Sequence, residues 1–320
     1  MREIGGYFEM ENLKGEEYYP ELLPMNLGRT ALLYLLRLRK ADSVYLPYFL
    51  CDSVIDACKR HNYGIRFYHT DENMRPVGLT SLREAEYLYL VNYYGQLTDE
   101  QILEMKEKYG RVIVDHVHGF FQKPLKGVDT LYSCRKFFGL SDGAYLSTEL
   151  EPTIKLDTDY SASRLTHILG RYEKDGSTYY QQMLDNAAHY HEEEPKWMSE
   201  LTHNLLRGID YEGIRKQRQS NFNTLDSLLG EANGRQFLNP EGPLCYPFYM
   251  KNGMAMRKKL AEKKIYVPTY WNNVLKDCAQ ETAEYDCAAN ILALPCDQRY
   301  GKQEMQIVAE EVLRLWKYEK

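Results

Sequence analysis

Between residues 30 and 148, short apolar runs alternate with amphipathic segments of helical period. TALLYLLRLRK (30–40) spaces its apolar residues as a helix does, and SVYLPYF (43–49) reads as a strand. DSVIDACKRHN (52–62) is again helical, and GIRFYHT (64–70) is a strand behind a glycine. EYLYLVNYY (86–94) reads as a strand, TDEQILEMKEKYG (98–110) as a helix with an acidic first turn and a closing glycine, and RVIVDHV (111–117) as a strand. TLYSC (130–134) and AYLST (144–148) add two short strands. Strands separated by helices of this length build βαβ units, which place the strands side by side in a parallel or mostly parallel sheet.

The rest of the chain is organised differently. From about Thr153 to Pro195 the pattern loosens, and HYHEEEPK (189–196) reads as a polar, solvated break. Residues 198–230 read as one or two long helices leading away from the sheet. CYPFYMK, MAMRKKLAEKK, ILALPC and KQEMQIVAEEVLRLW then give strand, helix, strand and helix, the make-up of a small α+β domain. The expected division is a large domain at 1–205 and a smaller one at 206–320, a split that suits 320 residues. A formal charge of −6 with interspersed signs leaves no basic footprint for nucleic acid. No apolar leader opens the chain, and ALLYLLRL is too short to span a bilayer. The seven scattered cysteines have no CxxC spacing, which favours reduced thiols and a cytoplasmic location.

Ligands of a parallel sheet bind beyond the carboxyl ends of its strands, and three features fall there. NLGRTAL (26–32) opens a helix with Gly28, Arg29 and Thr30, where free N–H groups suit a phosphate, although such residues also simply begin helices. Asp115 ends an apolar strand and needs a partner, either a cap, a buried ion pair or a ligand. Ser133 ends a later strand and Lys136 follows it, before the tight return GLSDGA. A lysine in such a loop can lose hydration and act as an amine nucleophile. The adjacent Arg135 has no role that the sequence assigns. His116 and His118 are two residues apart, but no third ligand accompanies them, so no metal is assigned. A phosphate seat, a strand-end acid and a lysine together are what pyridoxal 5'-phosphate asks for: donors for its phosphate, a carboxylate for its ring nitrogen, and an amine for its aldehyde.

At these residues the chain resembles the fold-type I pyridoxal-phosphate enzymes, and among them the DegT/StrS-type sugar aminotransferases. MNLGRTAL, YLPYFLCDSVIDAC, VNYYG, DHVH, GVDTLYSCRKFFG and ALPCDQRYGKQEMQIVAEEV match the family's elements in order. The resemblance implies an aspartate-aminotransferase-like α/β large domain with a mostly parallel sheet, a smaller C-terminal α+β domain and a homodimer. It implies Asp115 in the acid position, His118 in the Gln/His position, Ser133 on the phosphate and Lys136 as the Schiff-base lysine. The family's ring-stacking aromatic usually lies four residues after the strand-end proline. Cys51 stands there, which leaves Tyr48, Phe49 or His118 to stack. Lys136 follows Ser133 by three residues where five is commoner, and the stretch 171–195 replaces a hairpin that often reaches the neighbouring subunit. The implied reaction moves an amino group from a donor such as glutamate to a keto sugar carried on a nucleotide. A lyase or dehydratase on the same cofactor, or a paralogue that only binds, would share the fold.

Overall fold

The computed structural model describes residues 4–319. Its main sheet has eight strands: β1 (Leu23–Met25), β2 (Ser43–Pro47), β3 (Gly64–Thr70), β4 (Pro76–Val77), β5 (Glu86–Val91), β6 (Val112–His116), β7 (Asp129–Ser133) and β8 (Ala144–Ser147). They lie in the order β1-β8-β7-β6-β5-β2-β3-β4. The five strands from β3 to β7 in that order run parallel, whereas β8, β1 and β4 are antiparallel to their neighbours. All five residues of β2 are buried, as expected of a central strand covered on both faces. The expected strand over 43–49 stops at Pro47. Tyr48 and Phe49 extend the apolar pattern but belong to the turn beyond the sheet edge.

Three helices cross between strands: α1 (Gly28–Leu38), α2 (Asp52–Arg60) and α3 (Asp99–Tyr109). α3 begins in a capping box between Thr98 and Gln101 and closes on Gly110 at φ 71°. α1 buries seven consecutive residues from Thr30 to Leu36, so it is an internal helix.

The loose region contains α4 (Thr166–Glu173) and α5 (Tyr180–His189), which the sequence pattern did not resolve. Nor is its polar end wholly solvated. Tyr190 is fully buried and Glu193 nearly so, while His191, Glu192 and Glu194 are exposed. Polar neighbours hid a buried tyrosine.

The 198–230 segment is two helices, α6 (Glu200–Arg207) and α7 (Tyr211–Leu229). Gly208 ends the first, and the Asp210 carboxylate caps the second by accepting from the Gly213 N–H at 2.9 Å. A division at 205/206 falls inside α6, whose Leu206 packs among the aromatics of the large sheet. We propose the 208–210 turn as the boundary.

Beyond it, β9 (Cys245–Tyr249) and β10 (Ile291–Pro295) pair antiparallel, surrounded by α7, α8 (Gly253–Glu262), α9 (Val274–Asp277), α10 (Ala283–Asn290) and α11 (Lys302–Glu319). Phe222, Phe248, Leu260, Leu292, Met305 and Val312 form a separate apolar core there. Among the described residues no helix is long and apolar enough to cross a membrane.

Candidate active site

The parallel strands β2, β5, β6 and β7 all deliver their carboxyl ends to one edge of the sheet. The segments leaving them are 48–51, 92–95, 117–119 and 134–137, so Asp115, His118, Ser133 and Lys136 arrive together although they lie on different strands.

Asp115 is half-buried near the end of β6. The Tyr89 hydroxyl of β5 donates to its Oδ2 at 2.7 Å. Burial pushes this carboxyl up to about 6, and the Tyr89 hydroxyl, the Val117 N–H and the Lys136 charge hold it from rising further.

Lys136 ends a short 3-10 turn, Cys134–Lys136, directly after β7. The residue as a whole is exposed, and burial around the amine lowers its pKa. Arg135 and Arg29 lower it further, while Cys51 and Asp115 oppose them. The amine lies 5.1 Å from the centre of the Tyr270 ring.

His118 is buried, and burial and Lys136 together hold its pKa well below the ordinary value, so the ring is neutral. The Tyr94 N–H donates to its Nδ1 at 3.2 Å. The proton therefore belongs on Nε2, which is buried without a hydrogen-bond partner. Trp271 stacks on His118 at 5.4 Å and 14°, and Tyr270 lies 4.7 Å from it.

The helix-start residues take different positions. Gly28, Arg29 and Thr30 form the first turn of α1, where the backbone N–H groups have no acceptor within the helix. The Thr30 hydroxyl is committed inward, to Asn26 Oδ1 and the Leu27 carbonyl. Asn26 in turn accepts, through its carbonyl, the Gly143 N–H at 2.7 Å, which ties this helix start to the β7–β8 turn. Gly143 has φ 120°, and a Cβ there would stand 3.1 Å from Thr202 Cγ2, so only glycine suits the turn. Ser133 is half-buried at the end of β7, opposite Ala144.

Of the three candidates for ring stacking, His118 lies in this cluster and Tyr48 and Phe49 pack beside it. Tyr48 stacks on Phe67 and His69 of β3, at 5.0 and 4.6 Å. Phe49 is fully buried against Tyr93 and Trp271, and reaches His118 only through Trp271. The sequence reading missed Tyr89, Tyr94, Tyr270 and Trp271, which complete the surroundings of Asp115, His118 and Lys136. The last two come from a loop more than 130 residues further along the chain, and no local pattern marks them.

A supporting layer fixes the lysine's backbone. The buried Arg218 of α7 donates to the Phe137 carbonyl at 3.0 Å and to the Pro243 carbonyl at 2.9 Å, and Gln298 also donates to Phe137 at 2.9 Å. The small domain thereby holds the residue that follows Lys136. Elsewhere, His116 pairs through Nδ1 with Asn92 at 3.0 Å, and among the described residues no three His, Cys, Asp or Glu side chains converge as metal ligands would.

No protein-family model matches the chain, and no curated protein sequence does. Solved structures do. The chain is similar to PseC of Helicobacter pylori, an aminotransferase involved in the biosynthesis of pseudoaminic acid, at 13% identity and a TM-score of 0.62, over 92% of this chain and 86% of that one. It is similar to DesI, solved in the presence of its TDP-sugar product, at 13% identity and 0.64, over 92% and 79%. It is also similar to Spr1654 of Streptococcus pneumoniae in its PLP form, at 13% and 0.62, over 93% and 88%. At such identity what is shared is the fold, and it is shared along nearly the whole chain.

Proposed function

We propose that the chain is a pyridoxal-phosphate-dependent aminotransferase acting on a keto sugar carried on a nucleotide, with an amino acid such as glutamate as donor. The observation that carries this reading is Lys136, an amine of lowered pKa at the sheet edge that acts electrostatically on the Asp115 carboxylate and on the neutral His118 imidazole, whose one N–H is unpartnered. These groups fit the cofactor. Asp115 would take its ring nitrogen, and the His118 Nε2–H would donate to its phenolic oxygen. The first-turn N–H groups of Gly28, Arg29 and Thr30, with Ser133, would hold its phosphate. Lys136 would hold its aldehyde. Tyr48 and Phe49 would serve the site from behind, by packing the turn after β2. When bound, the cofactor supplies an electron sink for the carbanion at the substrate's reacting carbon.

The protein's own part is to set protonation and position. Asp115 stabilises positive charge at the ring nitrogen, and Tyr89 fixes its orientation. Lys136, whose pKa lies below that of a free lysine, would hold and move the proton at the substrate's α carbon once the donor amine has displaced it from the cofactor. Trp271 and Tyr270 pack on His118, and Tyr270 also lies beside the Lys136 amine. The sugar acceptor is supported by DesI, a neighbour in fold solved with a TDP-sugar product. Seven unpaired cysteines are consistent with a cytoplasmic location.

The test is single-turnover transfer. Protein loaded with the cofactor and given glutamate should lose its visible absorbance, and a nucleotide-linked keto sugar should restore it with one amino group gained per site. Loss of the hydroxyl or ring substituent of the sugar without net amino transfer would overturn the aminotransferase reading in favour of a lyase. No visible band on supplying the cofactor would overturn the enzyme reading altogether.

A further inference from the structure

Arg29 and Arg135 are cations with no carboxylate bonded to them, although Asp52 and Asp142 act on them from a distance. Among the described residues neither forms an ion pair with a carboxylate, although both are substantially enclosed by protein. The two meet at one residue, Tyr190. The Arg29 guanidinium donates to the Tyr190 carbonyl at 3.2 Å, and the Arg135 guanidinium lies 4.6 Å from the centre of the Tyr190 ring. Tyr190 is itself immobilised: its hydroxyl donates to the Ser141 carbonyl and accepts from Arg164 Nε at 3.0 Å.

The nearby carboxylates bond elsewhere, so Asp142 attracts Arg135 and Asp52 attracts Arg29 without bonding them. Asp142 accepts from the Ser199 N–H and from the hydroxyls of Ser199 and Thr202. Asp159 holds Arg164 at 2.7 Å, and Asp115 accepts from Tyr89. Asp52 lies exposed in the first turn of α2. Arg135 Nε is buried with no hydrogen-bond partner. Two guanidiniums and the Lys136 amine thus gather beside the open first turn of α1 with no carboxylate bonded to the guanidiniums, and a buried guanidinium N–H without an acceptor is costly. A phosphate monoester dianion would supply the missing acceptors, since guanidinium and phosphate match in geometry and charge.

We propose that Arg29 and Arg135, both anchored on Tyr190, form a clamp for the cofactor's phosphate. The inference rests on the cofactor reading above. The segment around Tyr190, polar in sequence, then has a function: it presents a carbonyl and a ring face that hold the two arginines apart and oriented.

Binding to cofactor-free protein tests this, read by tryptophan fluorescence with pyridoxal 5'-phosphate, pyridoxal and inorganic phosphate as probes. Arg135→Gln should weaken pyridoxal 5'-phosphate by about tenfold or more, leave pyridoxal unchanged, and reduce competition by inorganic phosphate. Arg29→Gln, on a different element, should give the same pattern, and Arg135→Lys should recover only part of the loss. A variant that keeps wild-type discrimination between the two vitamers overturns the clamp and leaves the cofactor reading intact. Equal loss of both vitamers, or a change confined to uridine diphosphate binding by the loaded protein, also overturns it. A wild-type chain that takes up neither vitamer overturns the cofactor reading, and the clamp with it.

Discussion

Asp115 illustrates what single residues decide in this protein. Its carboxyl, ordinarily near 3.8, is raised to about 6 by burial. The folded chain therefore binds this proton more tightly than the unfolded chain does, and the ionised form is a cost to stability. That cost is fully present above pH 6 and vanishes as the pH falls below about 4, where the group is neutral in both states. Asp115→Asn in cofactor-free protein should therefore stabilise the fold by about 1–3 kcal/mol at pH 8, with the gain disappearing between pH 6 and pH 4. Urea unfolding across that range measures it, and a pH-independent difference would contradict it. The same substitution should nearly abolish transamination, because the stability cost is tied to the charge the reaction needs. Asp115 and Lys136 were legible in the sequence because each interrupts or follows an apolar strand. Tyr89 was not, because a tyrosine inside a strand looks like core until its hydroxyl is seen on Asp115. Cys51 was noticed only as a departure, and the structure makes it an electrostatic neighbour of Lys136.

At the scale of elements, the central parallel strands β2, β5 and β6 could be read because both of their faces are largely buried and their sequences run nearly unbroken in apolar residues. Their ends could not, since Tyr48 and Phe49 continue that pattern into the turn after β2. α4 and α5 escaped because their polar residues are exposed and few of their side chains reach a core; in α5 the one buried residue is Asn186. The dependence of the lysine turn on α7 was equally invisible, since Arg218 sits in a run of polar residues that reads as solvated helix. Its guanidinium instead spans the Phe137, Pro243 and Leu244 carbonyls. Arg218→Met keeps the volume and removes these charge-assisted bonds. It should cost about 1–3 kcal/mol in urea unfolding and weaken cofactor uptake several-fold, because the backbone after Lys136 loses a restraint. Unchanged uptake in a destabilised variant would show that α7 supports the fold and not the site.

For the whole molecule, the alternation of strands and helices carried the architecture, and the separate apolar core around β9 and β10 accounts for the smaller C-terminal unit. The homodimer expected from the resemblance is a matter of surface. Tyr160, Leu169, Tyr172, Tyr180, Met183 and Leu184 leave apolar area exposed across one segment, 160–184, more than a scattering of surface residues requires. Equilibrium sedimentation at micromolar protein should give a dimer, and Leu169→Asp with Tyr172→Asp should shift it to monomer. A monomeric wild-type chain would contradict this.

The central claim is that Lys136 holds the cofactor, and borohydride reduction of cofactor-loaded protein followed by peptide mapping addresses it most directly. The lysine's lowered pKa and its place beside Asp115 and His118 predict a stable pyridoxyl label on the peptide that contains Lys136, with both the label and the visible absorbance lost in Lys136→Ala. A label on any other lysine, or wild-type labelling in the Lys136→Ala variant, would contradict the account.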